Sequence, residues 1–314
     1  MTAPPTENSR AFFHPGGFAK LDAPPPAETE RVRWLTAVFA RIQLRSMTAK
    51  LMAVSFPLTA LAGAAFIALM MRIEQLGNLL GDDRRVFVTD KALPILFASN
   101  VVNAILQTTI WVAPGIARDV RSGALLLYFS RPLRRRDYLL ARFLAAALVL
   151  FAELGGSALL LVLTMAITFG VHLDGQSALA GLTFWILLAL GELLISAVIA
   201  AGLAILALGC SAVAKTTNGA PLLFAGLFMG SIPLALVLGS VAGGGPVWQA
   251  VNLYSGGLHA THELMLALLS PQPMPDGLLI RALVGLTIWA GLAYGSWQLL
   301  VRLLRHPPVG KGRA

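Results

Sequence analysis

From Ala180 to Gly209 the chain runs thirty residues with a single ionisable side chain, Glu192. A helix of that length reaches about 45 Å, more than the ~30 Å hydrocarbon layer of a bilayer. Backbone groups inside hydrocarbon must bond within the protein, which leaves a helix or a closed barrel. The run lacks the period-two alternation of a barrel strand, so a helix is expected. Five further runs of this kind are Leu51–Met71, Leu93–Ile116, Leu139–Gly170, Pro221–Ala242 and Ala282–Val301, separated by short polar or turn-rich connections. Composition agrees: 12% of residues are charged and 57% hydrophobic, against roughly 25% charge in a soluble domain. The sequence therefore predicts an all-α integral membrane protein with six transmembrane helices in a domain over residues 29–303.

The flanks are different in character. Residues 1–28 hold Pro4, Pro5, Pro15 and Pro24-Pro25-Pro26 without the apolar core of a secretory signal, and are expected to form a disordered cytoplasmic tail. Residues 304–314 are expected to form a second, shorter cytoplasmic tail. The single Cys210 excludes an intrachain disulfide framework and any zinc site built on several thiolates.

The net charge is +9. Its basic residues sit at the edges of apolar runs, as topology signals and lipid-headgroup contacts do, so membrane lipid and not nucleic acid is the expected partner. Arg31, Arg33, Arg41, Arg45 and Lys50 precede the first span, six arginines lie between the second and third, Lys215 follows the fourth, and Arg302, Arg305, Lys311 and Arg313 close the chain. The connection after the third span has no Lys or Arg, and the one after the fifth has none before Arg281. The first outer connection is mixed, with Arg72, Arg84, Arg85 and Lys91 against Glu74, Asp82, Asp83 and Asp90. The balance predicts both termini in the cytoplasm.

Two segments are expected to be helices that do not cross. In Thr29–Ser46, Val32, Leu35, Phe39 and Ile42 recur at spacings of three and four, as in an amphipathic helix along the inner membrane surface. Leu258–Leu269 is too short to span, so it is expected to be outer-surface or re-entrant, with Trp248 and Tyr254 at headgroup level.

Soluble-enzyme motifs are absent: there is no G-x-x-x-x-G-K-[ST], no G-x-S-x-G and no H-E-x-x-H. His259, His262 and Glu263 share one short stretch, and an intramembrane metalloenzyme is one reading of them. Their spacing matches no zinc motif, and interfacial polar packing is the other reading. Glu153 and Glu192 lie near the middle of the third and fourth spans, where an ionisable group is costly. They fit either a translocation path, as in a proton-coupled carrier, or carboxyls hydrogen-bonded to a neighbouring helix; Gly155-Gly156 and Gly191 beside them would permit close helix approach. Pro57, Pro94, Pro114 and Pro233 read as tolerated kinks, and Gly230-Ser231-Ile232-Pro233 as a candidate helix break.

The segment RDVRSGALLLYFSRPLRRRDYLLARF, Arg118 to Phe143, packs seven arginines against Asp119 and Asp137. A topology anchor needs no apolar run, yet ALLLYF interrupts the charges and is too short to cross. Ser130-Arg131-Pro132 then breaks the chain before the third span. The pattern describes a short surface helix offering a basic and aromatic face to another protein.

At Asp119, Gly123, Leu125-Leu126-Leu127, Ser130-Arg131-Pro132, Arg135-x-x-Tyr138 and Arg142 the sequence resembles the permease subunits of type-2 ABC transporters. Departures are Ala124, Tyr128-Phe129 and Arg142, where that family commonly has Thr, aliphatics and Lys. The resemblance covers about Thr29 to Val301. It implies a half-transporter, itself no enzyme, that dimerises with a second permease copy or a paralogue and recruits separate ATP-binding subunits holding ATP and Mg2+. It implies export across a bacterial inner membrane. It also implies a cytoplasmic coupling helix between spans two and three, with Asp119, Arg121, Gly123, Leu126, Tyr128, Arg131, Pro132, Arg135 and Tyr138 as the ATPase-coupling residues, and outer helical elements between spans five and six.

Overall fold

In an apolar environment a backbone lowers its energy most by closing its hydrogen bonds within one segment, and helix is what the long runs adopt. A computed structural model describes residues 28–45, 54–58, 61–63, 65, 93–125, 134–170, 177–214, 216–241, 249–269 and 273–305; no strand occurs among them. The order is α1 (Glu28–Leu44), α2 (Leu93–Gln107), a π-helical turn (Thr108–Val112), α3 (Gly115–Arg121), α4 (Arg135–Phe169), α5 (Ala178–Val213), α6 (Gly219–Val241), a second π-helical stretch (Leu253–His259), α7 (Ala260–Leu269) and α8 (Leu278–Arg305).

Five helices among the described residues are long and apolar enough to cross a membrane: Leu93–Arg121, Arg135–Thr168, Ala178–Val213, Gly219–Val241 and Leu278–Arg302. Each covers all or nearly all of one of the last five expected spans. Of the expected first span, Leu51–Met71, the described residues 54–58, 61–63 and 65 are helical. Residues 1–27, the mixed connection before Leu93, Gly243–Trp248 and residues 306–314 lie outside the described residues, while Glu28 opens α1 and residues 304–305 of the expected C-terminal tail end α8.

The longest pairing is between α4 and α5. Gly170, at φ +77°, stops α4 in a conformation that favours glycine, and the Trp185 indole returns to donate to its carbonyl at 3.2 Å. The Ser177 hydroxyl accepts from Ala180 N and starts α5. Helix α5 is the hub, touching α3, α4, α6, α7 and α8. Gly202 and Gly209 let α8 come close, because a methyl group there would meet the Trp289 ring at 2.6 Å and Ser296 at 2.5 Å. The buried core joins Phe39, Val101, Tyr138, Leu150, Leu203 and Phe224. Apolar side chains such as Leu163, Ile167, Leu194, Leu222 and Leu236 point away from it, as expected of helices solvated by lipid.

Three details differ from the sequence reading. Pro114 has no N–H to give the Ile110 carbonyl, so the second span does not continue as one α-helix. It widens into the π turn before Pro114, with Ala113 N donating to Thr108 O at 2.9 Å. Pro233, by contrast, sits inside an unbroken α6, tolerated within the span, and the candidate break at Gly230–Pro233 does not occur. The Ser231 hydroxyl instead donates to Phe228 O at 2.7 Å and accepts from Leu253 N at 3.2 Å, tying α6 to the second π stretch. The third difference is in α1, whose stripe Val32, Leu35, Thr36 and Phe39 is buried against α4, while Ile42 is exposed. At 3.6 residues per turn the stripe 32, 36, 39 continues to Gln43 and passes Ile42 by.

Candidate functional site

Helix α3 ends where Ser122 N donates to Arg118 O and Gly123 N to Val120 O. Gly123 has φ +71°, a left-handed geometry that a side chain disfavours, and this is the physical reason for glycine at that position. The chain re-emerges at Arg134, in extended conformation, and begins α4. Asp137 in the first turn of α4 complements the positive helix end and faces Arg31 of α1 at 4.0 Å.

Asp119 fastens the two arms together. Its Oδ2 accepts from the Tyr138 hydroxyl at 2.6 Å, from Arg142 Nε at 3.1 Å and from Arg142 Nη2. Tyr138 and Arg142 are four apart, so both reach one point from a single face of α4. Asp119, Tyr138 and Arg142 are all buried. The Phe39 ring closes the site from α1, with the Arg142 guanidinium 4.1 Å from its centroid and Tyr138 packed edge-on at 5.8 Å. Helix α3 is also fixed to α5, because Ala117 N donates to the Ser211 hydroxyl at 2.9 Å. Arg121 reaches Thr217 at 3.4 Å. One carboxylate thus ties spans two and three, with α1 stacked on the joint and α5 bonded beside it.

The residues named from sequence divide accordingly. Asp119 and Tyr138 face inward; Arg121 and Arg135 are exposed, as are Arg118, Arg134 and Arg136. Gly123 makes the turn, and Leu126, Tyr128, Arg131 and Pro132 lie outside the described residues. Sequence reasoning placed Arg142 in the motif without a task; its fourth-residue spacing from Tyr138 was the available signal. Nothing in the sequence pointed to Phe39 or Ser211 as neighbours.

Glu153 and Glu192 do not share a cavity. Glu192 Oε1 lies 2.7 Å from His262 Nε2, both fully or nearly buried, and the imidazole stacks on Phe97 at 3.7 Å and 3°. His259 turns the other way, with Nδ1 3.3 Å from Glu263 Oε1, and Arg281 of α8 holds the second Glu263 oxygen. The two histidines therefore diverge, and among the described residues no group of three His, Cys, Asp or Glu converges as a metal-ligand set. Glu153 lies instead against Gln107 and an apolar cavity.

The hydrogen bond from His259 holds the Glu263 carboxyl below its usual range, against the opposing effect of burial, with Arg281 and His262 contributing. A depressed carboxylate supports the fold above its ordinary value near 4.5 and loses that support as pH falls through the lower folded value. Limited proteolysis of α7 should therefore accelerate as pH drops below 4.5. Glu263→Gln should be cut faster at neutral pH and lose the step; an unchanged step in this variant would refute the assignment.

A family model described as ABC-2 family transporter protein matches residues 89–304. No curated protein matches the sequence. The match spans every element from α2 to α8, including the joint around Asp119, and coincides with five helices fit to cross a bilayer. The chain is a multi-pass membrane protein and belongs to the ABC-2 transporter family.

Proposed function

We propose that this chain is the permease subunit of an ATP-driven exporter in a bacterial inner membrane, working as a dimer with two separate ATP-binding subunits. Both termini and the arginine-rich segment face the cytoplasm in this reading, and the partner chains bind ATP and Mg2+. The observation that carries it is the three-way grip on Asp119. A segment that only anchored topology would need its charges at the surface and no buried joint. This one has both: exposed arginines on each arm and a rigid base under them.

The division of labour follows. Leu126, Tyr128, Arg131 and Pro132, between the two pinned arms, enter a groove of the ATPase, where apolar contacts supply affinity. Exposed Arg121 and Arg135 set register through charge-assisted contacts. Asp119 and Tyr138 act as positioning residues, passing displacement of the tip to α4, while the Ala117–Ser211 bond passes it to α5. Because the arms cannot slide apart without breaking the joint, the load moves helices instead of being absorbed by the loop.

Replacing both Arg131 and Arg135 with Glu should abolish co-purification of a co-expressed ATP-binding subunit while membrane insertion and melting temperature stay unchanged. Undiminished recovery of the ATPase would defeat the reading.

A further inference from the structure

Glu153 takes no part in the coupling joint and has a setting of its own. It precedes Leu154 on α4, and neighbouring helical residues point about 100° apart. Leu154 lines the crevice that holds Glu192, whereas Glu153 faces α1 and the residues of the first expected span. There it borders a cavity of about 550 Å³ walled by Leu44, Phe56, Pro57, Leu148, Ala152 and Leu160. On its other side a narrow crevice continues to Gln43, Gln107 and Trp111.

The polar groups at this junction are not satisfied. Neither Glu153 oxygen makes a hydrogen bond, and neither does the side-chain oxygen or nitrogen of Gln107, which is 1% exposed. The Gln107 amide neighbours the carboxyl without reaching bonding geometry. Gln43 Oε1 is likewise buried and unbonded. An unsatisfied group away from water is costly, so several together mark a place where a partner is supplied. The buried unbonded atoms are rich in acceptors: two carboxyl oxygens and two amide oxygens, against the amide nitrogen of Gln107. Its complement is a donor-rich cation. The rest of the wall is aliphatic and aromatic, and Leu148 at its edge is exposed on the flank of the bundle. The volume lies in the range of small-molecule sites, roughly 300–1,000 Å³.

We propose that this cavity binds a cationic amphiphile, a primary amine or guanidinium on an apolar body, taken laterally from the bilayer. The cation meets Glu153 in a charge-assisted contact, the Gln107 and Gln43 oxygens accept its remaining donors, and the body fills the aliphatic space. Binding at this cavity is independent of the ATPase reading, because it requires only this chain.

The test uses the full-length protein in nanodiscs of zwitterionic lipid with two photoreactive probes, a diazirine-bearing dodecylamine and the matching dodecanol. The amine should label residues 148–160 saturably and in preference to the alcohol. Glu153→Gln should weaken amine labelling at least tenfold, the loss expected when a charge-assisted contact becomes a neutral one, and leave alcohol labelling unchanged. Ala152→Trp, which fills the space without touching the carboxyl, should reduce labelling by both probes. Melting curves confirm that each variant is folded. Equal labelling by amine and alcohol makes the cavity a slot for lipid chains and overturns the proposal, as does failure of both probes to label it.

Discussion

Asp119→Ala should lower the stability of the purified protein by about 3–5 kcal/mol, the cost of leaving one member of a buried ion pair without its partner. The Arg142 guanidinium would stay enclosed beneath Phe39 with no carboxylate to receive its donors, and the Tyr138 hydroxyl would lose its acceptor. Asp119→Asn should be milder, since an amide oxygen still accepts while the charge is gone. The informative variant is the double change Asp119→Leu with Arg142→Met. Removing both charges in favour of apolar groups is often near neutral, so much of the melting temperature should return. If the proposed coupling to a partner ATPase holds, stimulation of that ATPase should not return with it, because the rigid hydrogen-bonded joint between the arms is gone. A double variant that regained coupling would show that packing alone transmits the motion. Asp119→Ala with wild-type melting would remove the energetic basis of the joint altogether.

The separation of fold from joint explains what the sequence made legible. The last five apolar runs read correctly as helices because hydrocarbon imposes one solution on a chain of that composition, whatever its neighbours. Their limits moved by a few residues, as with Leu139 against the observed start at Arg135, because helices extend past the apolar layer at no penalty. Register and partners were less visible. Gln43, and not Ile42, continues the buried stripe of α1, since the 3.6-residue period outranks the apolarity of one side chain. The motif identified Asp119 and Tyr138 but not the direction in which they point. Inward or outward depends on the chain bringing together two residues 19 apart in sequence, and nothing local encodes that. Glu192 presents the same difficulty at a separation of 70 residues. Its carboxyl looked like a candidate for a shared path with Glu153, but the one-residue step between Glu153 and Leu154 turns the two acids toward different neighbours.

His262→Ala is expected to match Asp119→Ala in size, about 3–5 kcal/mol, for a related reason in a different place. His262 is wholly enclosed, bonded to Glu192 of α5 and stacked face to face on Phe97 of α2. Truncating it leaves the Glu192 oxygen without its partner in an apolar setting and opens a void under the Phe97 ring, so α7 loses its attachment to two spans at once. Glu192→Gln keeps a hydrogen-bonding group at the same position, able to serve either imidazole tautomer, and should cost only about 1 kcal/mol. A double-mutant cycle on the two positions should show strong coupling, as contacting residues do, with the His262→Ala, Glu192→Leu pair recovering part of the loss. Denaturant melts give the energies, and proteolysis within α7 reports whether that helix is what comes loose. Equal costs for His262→Ala and Glu192→Gln would mean that the carboxylate contact, and not ring packing on Phe97, holds α7 to the bundle. A His262→Ala protein that melts as the wild type does would mean that the Glu263–Arg281 contact alone suffices.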